Sequence, residues 1–508
     1  MKRELLVVFV ATVALYLPTA RYGFVQDDRG IIVANPAAHS VGAALAAFDE
    51  PYWPRGSGAG LYRPVTILSY ALDWMISGGR PGWFHFMNAL WHGLAAALFV
   101  VVIARWLPPV AAAGAGLIFA WHPVHVEAVA NLVGRAELLA AVGILGAVAL
   151  ARRGRWVVAV ACAAFAMFSK EHGVIAGVVI LLDKWLQASD DRRPYPVPFC
   201  VALAVVTVGY LAAWFAVGWV GENDEAVAFS GTGLWGRLAI ALPAVLHAAG
   251  LLLWPASLSS DYGPQVLPMR SAMSLAALWG LWVAVLVPAL VFWCRRRAPA
   301  IAFAAGLAAL SYLPTANIFF AAGIVLAERN LYLAAALPAA LVGWIMTTLA
   351  ARRGVRPAAA AAGLLAMACG ARSFVRLPAW RDNRSQVLTL LRDHPESYRG
   401  HASAAAVLAG IGDTAGARRQ YWIADSLFSN DPYVYDANAI FLIGIGDTAA
   451  AVPLIERGKQ SRTGERMTLR AQFLLELARR HHTQAAALAD SAAKRFPGEQ
   501  NWYRMFRQ

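Results

Sequence analysis

Long apolar runs recur from residue 5 to residue 373 of this 508-residue chain and then stop. Backbone groups in lipid must be hydrogen-bonded within their own segment, so each long run predicts a helix that spans a membrane. Hydrophobic residues make up 59% of the chain and charged residues only 15%, which is too few to cover the surface of a soluble protein. The sequence therefore predicts an all-α, polytopic membrane helix bundle.

Eleven runs are candidates for membrane spans. They are 5–20, 84–106, 110–121, 138–151, 156–168, 172–187, 197–220, 272–294, 299–313, 331–350 and 357–373. The segment 235–254 is also apolar, but it contains Arg237, Pro243 and His247. We interpret it as an interfacial or re-entrant segment that does not cross.

Clusters of Lys and Arg orient the predicted bundle, because they mark cytoplasmic helix ends. The clusters are Lys2/Arg3, Arg105, Arg152/Arg153/Arg155, Lys184 with Arg192/Arg193, Arg295 to Arg297, and Arg352/Arg353/Arg356. With a cytoplasmic N-terminus and eleven crossings, all clusters fall on one side. Membrane topology thus accounts for the net charge of +14, and nucleic acid is not a predicted partner.

The same parity places several polar segments outside the cytoplasm. They are 21–83, which is the first outer loop, 122–137, 169–172, 221–271, 314–330 and the C-terminal region. The membrane would be the inner or plasma membrane of a prokaryote or the endoplasmic reticulum of a eukaryote. We divide the chain into a membrane domain at 1–375 and an extracytoplasmic domain at 376–508.

The C-terminal domain contains an internal repeat. The segment GIGDTAGA that begins at Gly410 returns as GIGDTAAA at Gly444, a spacing of 444 − 410 = 34 residues. This is the tetratricopeptide period, and it predicts an α-solenoid of about three helix pairs. The repeats either form a packing module or offer a concave surface to an extended polypeptide.

Adjacent carboxylates follow the first predicted span, at Asp27 and Asp28. Mutual repulsion and partial burial can raise the pKa of one such group until it serves as a general base. The alternative is a helix end with two solvated charges.

A second set of polar residues lies in the next outer segments. Arg63 precedes a proline, and His122, His125 and Glu127 precede Arg135. Two histidines and a glutamate at this spacing are metal-ligand types, but no second ligand helix supports zinc. We favour hydrogen bonding of these groups to substrate and predict no metal ligand.

The remaining polar groups belong to later outer segments. Lys170 and His172 suit the phosphate of a lipid, although Lys170 could also pair with a neighbouring glutamate. An arginine at the mouth of a helix can clamp a phosphate through two hydrogen bonds, which applies to Arg329. The further candidates for substrate binding are Asp261, Tyr262, Glu328 and Tyr332.

These segments together resemble the transmembrane and tetratricopeptide-repeat-containing O-mannosyltransferases of the C-type glycosyltransferase superfamily. The matching stretches are FVQDDRGIIVAN, YRPVTILSYALDW, FHFMNALWHG, HPVHVEAVANLVGRAELLAA, FSKEHGV, LSSDYG and YLPTANIFFAAGIVLAERNLYL. They follow the family order across almost the whole membrane region. The repeat tail is shorter than that of the animal members, so their acceptors are not implied.

The resemblance implies a sugar, mannose, carried on a polyprenyl or dolichyl phosphate, and transfer with inversion to an extracytoplasmic acceptor, the Ser or Thr hydroxyls of a protein. It places the base at Asp27 or Asp28, and we favour Asp27. Lys170, His172, Arg329 and Arg63 are the candidates for the donor phosphate. Predicted partners are membrane lipid, the lipid-linked sugar and a protein or peptide acceptor guided by the repeats. The alternative is a transporter or assembly scaffold, which predicts charges at mid-membrane.

Overall fold

The protein is described here by a computed structural model that covers residues 1–54, 61–187, 194–218, 227–267, 274–461, 464–496 and 500–504. Over these ranges every regular element is helical, which confirms the all-α class. The predicted basic residues Arg192 and Arg193 lie outside the described residues.

Fifteen α-helices of the described chain precede the repeats. They are α1 (Lys2–Tyr16), α2 (Val41–Ala46), α3 (Pro64–Ser77), α4 (Pro81–Ile103), α5 (Pro109–Trp121), α6 (His125–Ala130), α7 (Arg135–Ala151), α8 (Trp156–Ser169), α9 (Ala176–Leu186), α10 (Val197–Ala213), α11 (Leu234–Leu253), α12 (Leu275–Cys294), α13 (Pro299–Tyr312), α14 (Ala336–Arg353) and α15 (Val355–Arg376).

Eight helical stretches in the described residues are long and apolar enough to cross a membrane, so the chain is a multi-pass integral membrane protein. Seven of them match predicted spans, and the eighth is α11. The predicted spans at 110–121, 156–168 and 299–313 correspond to the shorter apolar helices α5, α8 and α13. The span predicted at 172–187 becomes a 3₁₀ turn followed by the 11-residue α9.

Both ends of α11 contact segments that the sequence assigns to the outer face. Near its start, Arg237 donates a hydrogen bond of 3.4 Å to the carbonyl of Ile318. Near its end, the carbonyl of Leu252 accepts one of 3.0 Å from His122. The helix is long enough to cross, yet these contacts agree with a helix whose two ends stay on one side. Its interfacial placement stays a prediction.

Helix α7 is the central element of the bundle, and nearly all residues of the stretch from Leu132 to Ala151 are buried. Small residues permit this, because they let helix backbones approach closely in a membrane. A Cβ atom on Gly143 of α7 would lie 2.6 Å from the carbonyl oxygen of Cys162 on α8. The enclosed α7 fixes the outer turn just before it, to which several polar side chains attach.

Three helices of the bundle meet at one arginine, on the side that the sequence predicts to be cytoplasmic. Arg152, just after α7, pairs with Asp183 of α9 at 2.5 Å and donates to the carbonyl of Val102 on α4 at 2.7 Å. The buried carboxylate is thereby paired, as a charge at this depth requires.

Eight further α-helices lie in the described part of the C-terminal region. They are α16 (Asn383–Asp393), α17 (Tyr398–Gly410), α18 (Thr414–Leu427), α19 (Pro432–Gly444), α20 (Thr448–Gln460), α21 (Glu465–Ala478), α22 (His482–Arg495) and α23 (Gln500–Arg504). The 34-residue period recurs in the helix starts. Helix α19 starts 34 residues after the start of α17 (432 − 398), α20 after that of α18 (448 − 414), and α22 after that of α20 (482 − 448).

The duplicated sequence motif forms the turn between paired helices. Gly412 and Gly446 both adopt φ of +84°, a left-handed conformation that suits glycine. The following Asp413 and Asp447 cap the next helix by accepting backbone N–H bonds. The repeat unit seen in the sequence is therefore one helix–turn–helix pair.

The segment between α15 and α16 packs into the membrane core. Leu377 and Trp380 are buried there with side chains of the bundle. The predicted division at 375/376 stays a prediction, and the packing favours assigning these residues to the membrane domain.

Candidate active site

The polar segments that the sequence assigns to the outer face converge in the structure, and most of the predicted site residues bond to one another or to each other's loops. The joined pairs are Asp28 with Val133, Arg63 with Glu171, Lys170 with Glu137, Arg329 with Glu127, and Tyr262 with Glu328. Segments up to 202 residues apart in the chain thus form one site.

Asp28 is fully buried and holds the first outer loop in place. Its carboxylate accepts the N–H of Val25 at 2.9 Å and the N–H of Val133, just before α7, at 3.0 Å. Burial outweighs these two hydrogen bonds and raises the pKa of Asp28 to about 7. Both oxygens are occupied by backbone groups, so Asp28 is a structural carboxylate rather than one that a substrate reaches.

Asp27 has a different environment. It is half-buried, and its side chain makes no hydrogen bond to any described residue. The preceding Gln26 adopts φ of +45°, a left-handed conformation that costs a residue with a Cβ atom roughly 1–2 kcal/mol. The two carboxylates that follow Gln26 therefore differ in environment, with Asp28 buried and Asp27 half-buried.

Arg63 is held by a bidentate ion pair. Its Nε and Nη2 donate to Glu171 at 3.0 and 2.8 Å, and its guanidinium lies 4.9 Å from the centre of the Tyr52 ring. Burial alone would raise the pKa of Glu171, but Arg63 lowers it below its ordinary value. Burial raises the pKa of Tyr52 to about 12, and the negative charge of Asp27 contributes to this rise. Asp27 therefore lies in electrostatic range of the same tyrosine.

Lys170 is enclosed between α7 and the later outer loops. It forms an ion pair with Glu137 and donates to Asn330 at 3.4 Å, and His172 lies 3.6 Å from the same glutamate. Burial and the positive charge of Arg63 hold the pKa of Lys170 well below its usual range. Burial and Lys170 lower that of His172.

Arg329 is the most accessible of the candidate cations, with 26% of its side chain exposed. Its Nη1 donates to Glu127 at 2.6 Å, and its backbone N–H donates to the other oxygen of Glu127 at 2.9 Å. Arg329 also lowers the pKa of Lys170, so the two lie in electrostatic range. Three cations, each with a carboxylate partner, are gathered here.

A small pocket of about 60 Å³ adjoins Arg329. Glu127, Asp261 and Tyr262 line it, and Arg399 of α17 closes it from the repeat side. Asp261 lies 3.4 Å from Arg399. The pocket is therefore formed jointly by the membrane domain and the first repeat.

Glu328 is buried beneath this pocket. It accepts hydrogen bonds from the Tyr262 hydroxyl at 2.8 Å and from the N–H of Ser259 at 2.6 Å. Burial raises the pKa of Glu328 to about 8. The pair joins two outer loops and faces away from solvent.

Four predicted substrate ligands are bonded to the protein itself. The His125 ring bonds the carbonyl of Tyr332 at 3.0 Å, and the Tyr332 hydroxyl lies 2.6 Å from the ring of His92. Arg135 is fully buried and paired with Asp73 at 2.5 Å. His122 bonds α11 as described above. Their roles in substrate binding stay predictions, and the contacts observed here are structural.

The sequence prediction missed Asp73, Asn88 and His92. Asn88 accepts a hydrogen bond of 2.7 Å from Arg135, and His92 joins the carbonyl of Ala120 to Tyr332. A signal was available for two of them, because Asn88 and His92 are polar residues inside the apolar run of α4.

No group of three His, Cys, Asp or Glu side chains in the described part of the chain is arranged to hold a metal ion. The rings of His122 and His125 hydrogen-bond to two different backbone carbonyls, while Glu127 binds Arg329. These three residues do not form a ligand set.

Comparison with characterised proteins confirms the resemblance read from the sequence. The chain is 26% identical over 443 residues to the protein O-mannosyl-transferase F38B6.6 of Caenorhabditis elegans, covering 84% of this chain and 63% of that protein. It is 32% identical over 284 residues to Tmtc2 of Drosophila melanogaster, with 51% and 30% covered. It is 26% identical over 379 residues to human TMTC3, with 65% and 41% covered. The chain thus spans less than two thirds of the length of each.

Two further comparisons complete the picture. The search of protein-family models gives no match. Among solved structures, ArnT from Cupriavidus metallidurans bound to undecaprenyl phosphate aligns with a TM-score of 0.39 at 14% identity, over 96% of this chain and 80% of that one.

Proposed function

We propose that this chain, whose characterised relatives are protein O-mannosyl-transferases, is a membrane glycosyltransferase. It would move mannose from a polyprenyl or dolichyl phosphate to Ser or Thr hydroxyls of an extracytoplasmic protein. The observation that carries the proposal is the half-buried carboxylate of Asp27 in electrostatic range of Tyr52, whose ring lies 4.9 Å from the guanidinium of Arg63, one of three grouped cations. Transfer from a lipid phosphate requires this combination of a base and positive charge.

Asp27 is the proposed general base. A Ser or Thr hydroxyl is a poor nucleophile until its proton is removed, and a carboxylate without a hydrogen-bond partner among the described residues can accept that proton. The hydroxyl oxygen then attacks the anomeric carbon from the face opposite the phosphate. The bond between that carbon and the phosphate oxygen breaks, the electron pair leaves with the lipid phosphate, and the configuration inverts.

Arg329 and Arg63 are the proposed direct contacts of the donor phosphate. Each arginine keeps N–H groups beyond those used by Glu127 or Glu171, so the carboxylates orient the guanidinium without saturating it. Lys170 is too enclosed to be a first contact in this geometry. It would act by its electrostatic field rather than by touching the donor, and His172, whose pKa is lowered by burial and by Lys170, would be a neutral neighbour of Glu137.

The placement of charge argues against a translocation path. In the eight long helices, charged side chains of the described residues lie near the ends, and the polar residues further inside α4 are uncharged types bonded to the protein. The transporter or scaffold alternative is therefore not favoured. We propose that the active-site loops and the repeats are extracytoplasmic and the N-terminus cytoplasmic.

The test is a transfer assay with purified protein in detergent or lipid. The protein is incubated with polyprenyl phosphates carrying radiolabelled mannose, glucose or galactose and with a peptide rich in Ser and Thr. Alkali-labile label on the peptide from the mannose donor supports the proposal. Absence of label from every donor, with the protein folded and binding donor, contradicts it.

A further inference from the structure

The loop that carries Asp27 is held from a second side by the segment that leads into the repeats. The carbonyl of Arg381 accepts the N–H of Gly23 at 3.0 Å. The side-chain oxygen of Asn383 accepts the N–H of Gln26 at 2.8 Å. Residues 357 positions apart in the chain therefore meet immediately before the proposed base.

The acceptor oxygen of Asn383 is fixed in space. Asn383 is the first residue of α16, and the cap residue Asp382 accepts the N–H of Ser385 at 2.7 Å. Just upstream, Leu377 and Trp380 are buried in the membrane core. A side chain at the start of a capped helix, anchored on both sides, offers its oxygen in a constant position.

The partner of Asn383 is the residue whose conformation decides where Asp27 lies. Gln26 has φ of +45°, which a residue with a Cβ atom adopts only when its surroundings impose it. On the other side of the turn, Asp28 is bound to Val133 near α7. Asp27 thus stands between two anchors, one on the bundle and one on the repeat side.

We propose that Asn383 is a positioning residue for Asp27, acting through the backbone of Gln26. The inference rests on the proposed function, because it assumes that Asp27 is the base. The hydrogen bond is exposed, so its contribution to global stability is small. Its effect falls instead on the geometry of the carboxylate, and a base displaced by about 1 Å can lose on the order of a hundredfold in rate.

The experiment uses the full chain and four variants, Asn383→Ala, Asn383→Asp, Thr389→Ala and Asp27→Asn. Thr389 is the matched control, because it lies on the same helix and makes no side-chain hydrogen bond to the described residues. For each variant kcat, the KM for the lipid donor and the thermal midpoint are measured. Hydrogen–deuterium exchange of peptides that cover residues 22–29 reports on the loop.

Asn383→Ala should lower kcat by about 10- to 100-fold with the donor KM and the midpoint unchanged. Exchange in 22–29 should become faster. Asn383→Asp keeps an acceptor oxygen and should recover most of the rate, and Thr389→Ala should behave as wild type. This split between kcat and KM, with rescue by aspartate, is not expected from a residue that only stabilises the fold.

The outcomes separate the two claims. If Asp27→Asn is inactive while Asn383→Ala turns over at the wild-type rate, the positioning role is wrong and the base assignment stands. If Asn383→Asp is as slow as Asn383→Ala, the hydrogen bond is not the cause and the proposal is overturned. If Asp27→Asn itself transfers mannose normally, the base assignment fails and the positioning role fails with it.

Discussion

Replacing Asp27 by Asn should abolish most transfer while leaving the protein folded. Asparagine keeps the size of the side chain and some hydrogen bonding, but it cannot accept the proton of the hydroxyl. General-base contributions are typically about a hundred- to ten-thousand-fold, which corresponds to roughly 3–5 kcal/mol of barrier.

The effect on folding follows from the environment of the side chain. Asp27 is half-buried and has no hydrogen bond to the described residues, so its replacement removes no stabilising contact. We expect the free energy of unfolding to change by no more than about 0.5 kcal/mol. Asp28→Asn is the comparison, because this neighbouring carboxylate is fully buried and both of its oxygens accept backbone N–H groups. Its kcat should fall far less than that of Asp27→Asn.

The assay is single-turnover transfer of labelled mannose from a saturating lipid donor to a Ser/Thr peptide, with donor affinity measured separately. The expected pattern is a collapse of the rate constant at unchanged donor affinity. Near wild-type turnover in Asp27→Asn would refute the reasoning, and so would a larger loss in Asp28→Asn than in Asp27→Asn.

The remaining predictions concern stability, the donor, topology and the repeats. The pKa of Asp28 in the folded protein is about 7, above its ordinary value of 3.8, so the folded protein binds more protons between these values. Stability should therefore fall progressively as pH rises from about 4 to about 7, by roughly 4 kcal/mol in all, and level off above that. The thermal midpoint of Asp28→Asn should not show this fall. Arg329→Ala should weaken donor binding as well as kcat, measured by titration and turnover, because phosphate charge exists in both the bound donor and the departing group. In a cysteine-free background, an impermeant thiol reagent should label Gly42→Cys from outside intact cells and leave Arg153→Cys unlabelled, and the reverse would show that the predicted orientation is wrong. A chain lacking 432–508 should bind and hydrolyse the donor normally but glycosylate a protein acceptor poorly, and equal loss of both would remove the case for acceptor guidance.

Much of the architecture could be predicted because lipid imposes one rule on every segment. An apolar run in a membrane has to be helical, so the spans were found to within a few residues, apart from the shortened α9. Counting crossings also predicts that the polar motifs share one side of the membrane, and in the structure these motifs lie close together. The interfacial reading of α11 could not be decided by composition, since its run is as apolar as a true span.

The fine structure of the site could not be predicted, because it depends on partners that are remote in the chain. Nothing local distinguishes Asp27 from Asp28, and only the distant N–H of Val133 shows which is structural. The pairing of each candidate cation with a glutamate is likewise a tertiary result. Asn383 lies beyond the last span, where no local pattern connects it to the first loop.

The short connection between the last span and the first repeat has a consequence for which hydroxyls would be modified. Residues 377–383 are packed against the membrane domain, and Gln265 also bonds the carbonyl of Leu427 in the repeats at 2.7 Å. A flexible tether would let a captured polypeptide sample many distances from the catalytic carboxylate, with an effective concentration set by the tether length. A rigid connection would instead hold the captured polypeptide at a nearly fixed distance from the proposed catalytic carboxylate. If the repeats capture the acceptor, glycosylated sites should lie at a nearly constant number of residues from the captured stretch, and sites nearer or farther should be spared.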